Sequence, residues 1–342
     1  MEKIPQQHVD EITNFIHSLP PQTLGLESVK KISVSNLPQG VWNFIYRVDI
    51  NHRPFVFKMA PPAKSIVAGM IDNSGRGEFE ALKCLEHLNL SPKPVLFIEP
   101  GPHFEYPVLI YEYVIGERMS FFDDMVMARA ARAFAQIHSM EITPFEKRFR
   151  HRSETPESLL GDLKTAYERF NQRDDIVPDH QYLFSRYISR LPQVNANICA
   201  GEPCPLSLIH ADPVPGNIIL QNQSIFIIDW QTPMIGDPAY DVWAFLADAF
   251  TLWDCQEPPT ETQKQIFIRT YLENRPDDTL LERIRTKEPY YLLKYGLHCS
   301  NRYHDYRFKK IPLEQVRGKE KNFEKYGATA NIILARLAEL LN

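Results

Sequence analysis

Residues 208–241 constrain this chain more than any other stretch. They open with a polar cluster, His210, Asp212 and Asn217, followed by two short apolar runs, Ile218 to Leu220 and Ile225 to Ile228, set around the polar tetrad Gln221 to Ser224; the second run stops at Asp229. Two β-branched or leucine-rich runs about a polar loop predict a β-hairpin. With the loop at residues 221–224, Leu220 pairs with Ile225 and, counting back, Asn217 lies opposite Ile228. Asn217 and Asp229 then meet at one end of the hairpin, on neighbouring strands about 5 Å apart. An amide oxygen and a carboxylate are hard oxygen donors. They suit Mg²⁺, which takes few protein ligands and fills its shell with substrate phosphates. Asp212, five residues before Asn217 on the same loop, is left to face whatever receives the metal-bound phosphate. Taken singly, His, Asp and Asn are ordinary turn residues; the whole run in its strand context is what points to chemistry.

The run H-x-D-x-x-x-x-N at 210–217, a strand pair ending in Asp229-Trp230, and G-D-P-x-x-D at 236–241 together resemble the aminoglycoside phosphotransferase and choline kinase family. Those are small-molecule kinases with a protein-kinase-like fold, and the spacing is also that of the protein-kinase catalytic loop and metal aspartate. The departures are Ala211, where the family usually has Gly, and Pro213-Val214, where it often has Leu-His. The resemblance implies an α+β, two-lobed fold, with a small antiparallel-sheet N-lobe over residues 1–114 and a larger α-rich C-lobe over residues 115–342. It implies ATP and Mg²⁺ as cofactors, a small-molecule hydroxyl compound as acceptor, Asp212 as catalytic residue, and Asn217 and Asp229 as metal ligands. Ile228, just before that aspartate, would be a further nucleotide contact. His210 would brace the backbone near Asp229, and Asp241 would brace the catalytic loop from below.

Upstream, Val9, Ile12, Phe15, Ile16 and Leu19 follow a helical period that ends at Pro20-Pro21. Strands are expected at residues 31–34, 44–50 and 55–59, the last two joined by Asn51-His52-Arg53. The segment from Asn36 to Asn43 holds a single glycine, Gly40, and reads as a plain turn as readily as a phosphate loop; the resemblance places Asn43 at the nucleotide. Lys58 stands in the apolar strand F-V-F-K-M, so it needs an exit to water or an anionic partner. The resemblance gives it the α- and β-phosphates and a helix glutamate, Glu78 first and Glu80 second. Residues 60–77 lack periodicity. Strands at 92–98 and 107–114 follow, and the latter runs into a hinge at Gly116. There Glu112, Tyr113 and Val114 would meet the adenine through main-chain atoms.

A helix is predicted over residues 120–140, with Phe121, Phe122, Met125, Ala128, Ala131, Phe134, Ala135 and His138 on its apolar face. Asp123 and Asp124 complement its dipole, and His138 reads as a core residue. Further helices are expected at 156–171, 178–192, 238–252, 260–273, 279–298 and 319–341, the first of the last four opening on Asp237 as N-cap and Pro238 at the first helical position. Trp253, Tyr290, Tyr291, Tyr295, Tyr303 and Tyr306, with Asp248, Asp254 and Asp305, form either core or a wall for a quaternary ammonium; aromatic residues at helical spacing favour core.

Bulk properties narrow the alternatives. The chain has 342 residues, 44% hydrophobic and 24% charged, as globular proteins do. A net charge of −5 argues against a nucleic-acid partner. The N-terminal residues lack the apolar core of a signal peptide, and there is no apolar run long enough to span a membrane. Five cysteines without C-x-x-C spacing point away from a disulfide framework or zinc and toward a cytoplasmic setting. The stretch from Asp229 to Gly236 is too short for the activation segment of a protein kinase. The remaining rival is a nucleotide-binding regulatory pseudokinase without turnover.

Overall fold

The computed structural model describes residues 4–37, 43–61, 75–195, 205–311 and 320–341. Gly40 and most of the segments 60–77 and 195–205 lie outside these residues. The chain begins with helix α1 (Gln6–Ser18), then builds a five-stranded antiparallel sheet from β1 (Ile32–Asn36), β2 (Phe44–Ile50), β3 (Arg53–Met59), β4 (Pro94–Ile98) and β5 (Val108–Glu112), in the order β1-β2-β3-β5-β4. The turn between β2 and β3 is only Asn51-His52, both at positive φ (49° and 73°), which suits the twist of a two-residue hairpin.

Because side chains alternate across a strand, the sheet has two different faces. Phe55, Phe57, Val108 and Ile110 pack with Ile12, Phe15 and Ile16 of α1. Val56, Leu109 and Tyr111 face the other way, against Ala81, Leu82 and Leu85 of α2 (Arg76–Leu85). Lys58 pairs with Leu109 and so belongs to this second face.

After β5 the chain turns at Gly116 into β6 (Glu117–Arg118), which pairs with β9 (Ile218–Gln221) of the hairpin β9–β10, the latter strand running Ser224–Ile227. A Cβ on Gly116 would stand 2.5 Å from the Leu220 carbonyl oxygen and 2.6 Å from Ile219 Cγ2. The hinge therefore lies directly on the hairpin backbone, and only glycine permits it. Gly116→Ala is expected to cost about 1–3 kcal/mol of stability through this overlap, read as a lower urea midpoint with unchanged slope.

The second lobe is helical. It contains α3 (Asp124–His138), α4 (Pro156–Asn171), α5 (Pro178–Asn195), α6 (Ala239–Leu246), α7 (Asp248–Thr251), α8 (Glu261–Asn274), α9 (Leu280–Arg307) and α10 (Glu320–Leu341). A small sheet joins β7 (Arg150–His151), β11 (Met234–Gly236) and β8 (Ser207–Ile209), with β11 antiparallel to β8 and parallel to β7. No helix among the described residues is long and apolar enough to cross a membrane.

Several expectations change here. α3 starts only at Asp124, because Asp123 is its N-cap and accepts from the Val126 N–H at 2.6 Å. Its buried face is Val126, Met127, Ala130, Ala131, Phe134, Ile137 and His138, whereas Phe121 and Met125 are exposed. The expected helix 238–252 breaks into α6 and α7 at Ala247, which is extended, and α9 runs on to Arg307. Pro238, not Asp237, is the residue flanking α6. Asp237 accepts from the Ala239 N–H at 2.9 Å, while its carboxylate is held by Arg283 at 2.9 Å and Lys287 at 2.6 Å. Tyr290 and Tyr291 are core.

Candidate active site

The hairpin has the expected register. Leu220 pairs with Ile225, Ile218 with Ile227, and the Ile228 N–H donates to the Asn217 carbonyl at 2.8 Å. Its loop is shorter than expected, because Gln221 and Ser224 also pair and leave a two-residue turn, Asn222-Gln223, with Asn222 at φ 52°. Asn217 thus lies across the hairpin from Ile228, next to Asp229. The Asn217 Nδ2 donates to the Asp212 carbonyl at 2.9 Å and approaches its carboxylate at 3.5 Å. With the amide nitrogen committed, Oδ1 is the atom left to accept or to ligate.

The loop before Asn217 is held from below. Asp241 accepts from the His210 N–H at 2.6 Å and from the Ala211 N–H at 3.0 Å, and His138 lies 3.4 Å from the same carboxylate. The His210 ring bridges the two halves of the site. Its Nε2 lies 2.9 Å from the Ile228 carbonyl, so it carries the proton there, which leaves Nδ1 to accept from the Asp212 N–H at 3.2 Å. Burial lowers the imidazole's proton affinity and keeps it in this neutral form.

Ala211 has φ 67°, in the left-handed region where a Cβ is penalised. A glycine fits this bend without strain. Ala211→Gly is therefore expected to raise stability by about 0.5–1 kcal/mol, the relief of strain exceeding glycine's extra chain entropy, measurable as a higher denaturant midpoint.

Asp212 is open to solvent, yet protein surrounds it on its other sides. Burial, then the carboxylates of Asp229, Asp254 and Asp241, push its pKa up to about 7, against a lowering by the Asn217 amide. Asp229 differs. Burial disfavours its charge, but Lys58 outweighs that and holds the carboxyl below the usual range. Lys58 is buried between two carboxylates, with Nζ 2.6 Å from Glu78 and 2.5 Å from Asp229. Glu80 instead pairs with Arg148 at 3.0 Å. One oxygen of Asp229 is thereby taken by Lys58, and the other has no hydrogen bond among the described residues.

At the hinge, the Glu112 N–H is spent on the Lys93 carbonyl (2.9 Å) and the Tyr113 N–H on the Pro54 carbonyl (3.1 Å). The Val114 N–H makes no hydrogen bond among the described residues. The Glu112 carboxylate pairs with Arg53 at 2.5 Å. Asn43 is buried and its Oδ1 has no hydrogen-bond partner among the described residues. On the opposite side of the loop, Asp254 accepts from the Gly216 N–H at 2.9 Å, and a Cβ on Gly216 would stand 2.4 Å from the Asp254 carboxylate. Glycine at 216 is what lets that acid approach. Trp253 next to it meets Tyr326 edge to face, with centroids 4.8 Å apart, and donates from Nε1 to Thr329 at 2.9 Å.

The model of one protein family, APH, the phosphotransferase enzyme family, matches residues 33–281, well over half of the chain. The chain belongs to that family. The matched span takes in the sheet from Ser33 onward, the hinge, the hairpin and α6, and with them Lys58, Glu78, Asp212, Asn217, Asp229, Asp241 and Asp254. A search of curated sequences found no match. Solved structures resemble the phosphotransferase over nearly its whole length. A choline kinase from Cryptosporidium parvum has TM-score 0.65 and 14% identity, covering 97% of this chain and 95% of its own. A choline/ethanolamine kinase family protein from Mesorhizobium loti has TM-score 0.60 and 17% identity, covering 98% and 95%. A spectinomycin phosphotransferase in complex with ADP and spectinomycin has TM-score 0.59 and 15% identity, covering 90% and 93%. These likenesses establish the protein-kinase-like two-lobed fold.

Two charged residues of the phosphotransferase escape a reading of the sequence. Asp254 was visible only as one acid among aromatic residues, and its contact with Gly216 spans 38 residues. Arg118 carries no motif, and its place beside β9 follows only from the pairing of β6. Among the described residues no group of three or more His, Cys, Asp or Glu is arranged to hold a metal. The available oxygen donors are Asn217 Oδ1 and the unpaired Asp229 oxygen, a set that suits an ion completed by phosphates and water.

Proposed function

We propose that this phosphotransferase uses ATP and Mg²⁺ to phosphorylate a hydroxyl group of a small molecule. Two linked pairs carry this conclusion: the Asn217 amide lies 2.9 Å from the Asp212 carbonyl and 3.5 Å from its carboxylate, and Asp229, next to the residue opposite Asn217, pairs with Lys58 at 2.5 Å. Phosphoryl transfer asks a protein for positioning and charge neutralisation more than for covalent chemistry. Asn217 Oδ1 and Asp229 would hold the Mg²⁺, which supplies charge neutralisation across the nucleotide phosphates. Lys58, kept charged by its two carboxylates, steadies the phosphates from the sheet side. The Val114 N–H and the Glu112 main chain serve the base, with Ile228 and Asn43 as further contacts.

Asp212 orients the acceptor hydroxyl and takes its proton. A carboxyl with its pKa raised to about 7 is well matched to that task, since a good share of it is unprotonated at neutral pH and it has appreciable proton affinity. Asp212 and Asp254 both reach solvent at the mouth of the site, and after desolvation it is the charges of Asp229 and Asp254 that raise the proton affinity of Asp212. That surplus of negative charge beside Trp253 and Tyr326 favours an acceptor carrying a protonated or quaternary amine. The choline kinase and spectinomycin phosphotransferase structures above are named for acceptors of the hydroxyl-bearing class.

The deciding experiment is an ATP-consumption screen over amino alcohols, aminoglycosides, sugars and neutral polyols, with the Asp212→Asn protein as blank. Consumption above the blank by a cationic hydroxyl compound supports the proposal. Nucleotide binding without consumption for any acceptor would favour a regulatory module instead.

A further inference from the structure

Arg118 lies on β6, the two-residue strand between the hinge and α3. Its backbone is fixed: Arg118 pairs with Ile219 across β9, and the Met119 N–H donates to the Ile218 carbonyl at 2.8 Å. β9 begins at the residue after Asn217, so Arg118 is anchored beside the end of the hairpin that carries the metal donors. Its side chain is exposed and, among the described residues, makes no direct hydrogen bond or ion pair. Arg118 and Ile219 are cross-strand partners, so their side chains leave the ribbon on the same face.

We propose that Arg118 contacts the γ-phosphoryl group during transfer, holding it from the acceptor side. This rests on the kinase reading above. In that reaction a bond forms from the acceptor oxygen to phosphorus, the bond from phosphorus to the bridging oxygen of ADP breaks, and the acceptor proton passes to Asp212. Arg118 keeps its own protons throughout and only neutralises charge. The charge that spreads over the equatorial phosphoryl oxygens needs a cation able to follow it. Lys58 is unsuited, being 4% exposed and fixed between Glu78 and Asp229. On the acceptor side the carboxylates of Asp212 and Asp254 repel a phosphoryl group, and among the described residues the one lysine facing Asp254, Lys325, is tied to the Trp253 carbonyl at 2.5 Å. Arg118 supplies a positive charge there, with the forked donors that match phosphate oxygens, and it has no ion pair to break first.

The test is calorimetry with Mg²⁺ and either ADP or a non-hydrolysable ATP analogue, on the wild type, Arg118→Ala, Arg118→Lys and the neighbouring surface change Glu117→Ala. Arg118→Ala is expected to weaken the ATP analogue about tenfold or more, the scale of a lost charge-assisted contact, and to leave ADP unchanged. With an acceptor identified, its kcat falls by roughly 10²-fold while the acceptor KM holds, and Arg118→Lys recovers part of both losses. Glu117→Ala should match the wild type. Equal weakening of ADP and ATP analogue, or weakening of neither, overturns the proposal for Arg118 while leaving the kinase reading intact. A wild-type protein that binds neither nucleotide overturns both.

Discussion

Asp212→Asn is expected to abolish transfer, by roughly 10²–10⁴-fold, in a protein that folds and binds nucleotide as before. Asparagine keeps the size of the side chain and its neighbourly contact with Asn217, but it cannot accept the acceptor's proton. A second signature separates this from damage. In the folded protein the Asp212 pKa is about 7, above its ordinary value of 3.8. Between those two values the native state binds a proton that the unfolded state has released, so this group's contribution to stability falls as pH rises through that window. Asparagine has no such penalty. The variant's melting temperature should therefore equal or exceed the wild type's at pH 8, with the advantage shrinking toward pH 4. In the wild type, kcat/KM should fall as pH drops below about 7, when the base is protonated. Full turnover by the variant, or a wild-type rate independent of pH from 5 to 8, removes Asp212 from the role of base.

The fold and the centre of the site are legible in the sequence where local pattern and chemistry agree. The hairpin register is readable because a one-residue slip would turn Ile218, Ile225 and Ile227 out of the core; these are buried. The turn is shorter than the polar tetrad suggests, because Gln221 and Ser224 are polar yet still pair, and polarity alone does not end a strand. The buried face of α3 was misassigned for a related reason. A helix rich in alanine admits more than one apolar stripe, and the cap at Asp123 leaves Phe121 outside it. What the sequence hides is conformation and distant pairing. The left-handed bend at Ala211 gives no sign in a residue that ordinarily avoids it, and the contact of Asp254 with Gly216 and the pairing of β6 with β9 arise only in the tertiary fold. Lys58 lies between these cases: its burial was foreseeable as a problem, and Glu78 and Asp229 together are its solution.

Asp229→Asn should remove the Mg²⁺ dependence of nucleotide binding. Asp229 has φ 62°, a conformation that asparagine tolerates better than other residues, so the chain bend survives and only charge is lost. Two consequences follow from the geometry. The metal loses its anionic ligand and is left with the Asn217 oxygen and a neutral amide, so affinity for ATP should be nearly the same with Mg²⁺ as with a chelator, and transfer should fall by roughly 10²–10³-fold. Lys58 meanwhile keeps Glu78 at 2.6 Å. A buried lysine with one partner remains paired, so the loss of stability should be well below the roughly 3–5 kcal/mol of a buried charge left alone. Glu78→Gln in the Asp229→Asn background strips the second carboxylate and should produce that larger loss. The pair of variants thus divides Asp229's two tasks: binding calorimetry reads the metal ligand, and thermal melting reads the lysine's partner. Unchanged Mg²⁺ dependence in Asp229→Asn would sink the first assignment, and an unfolded single variant would show that Glu78 alone cannot hold Lys58.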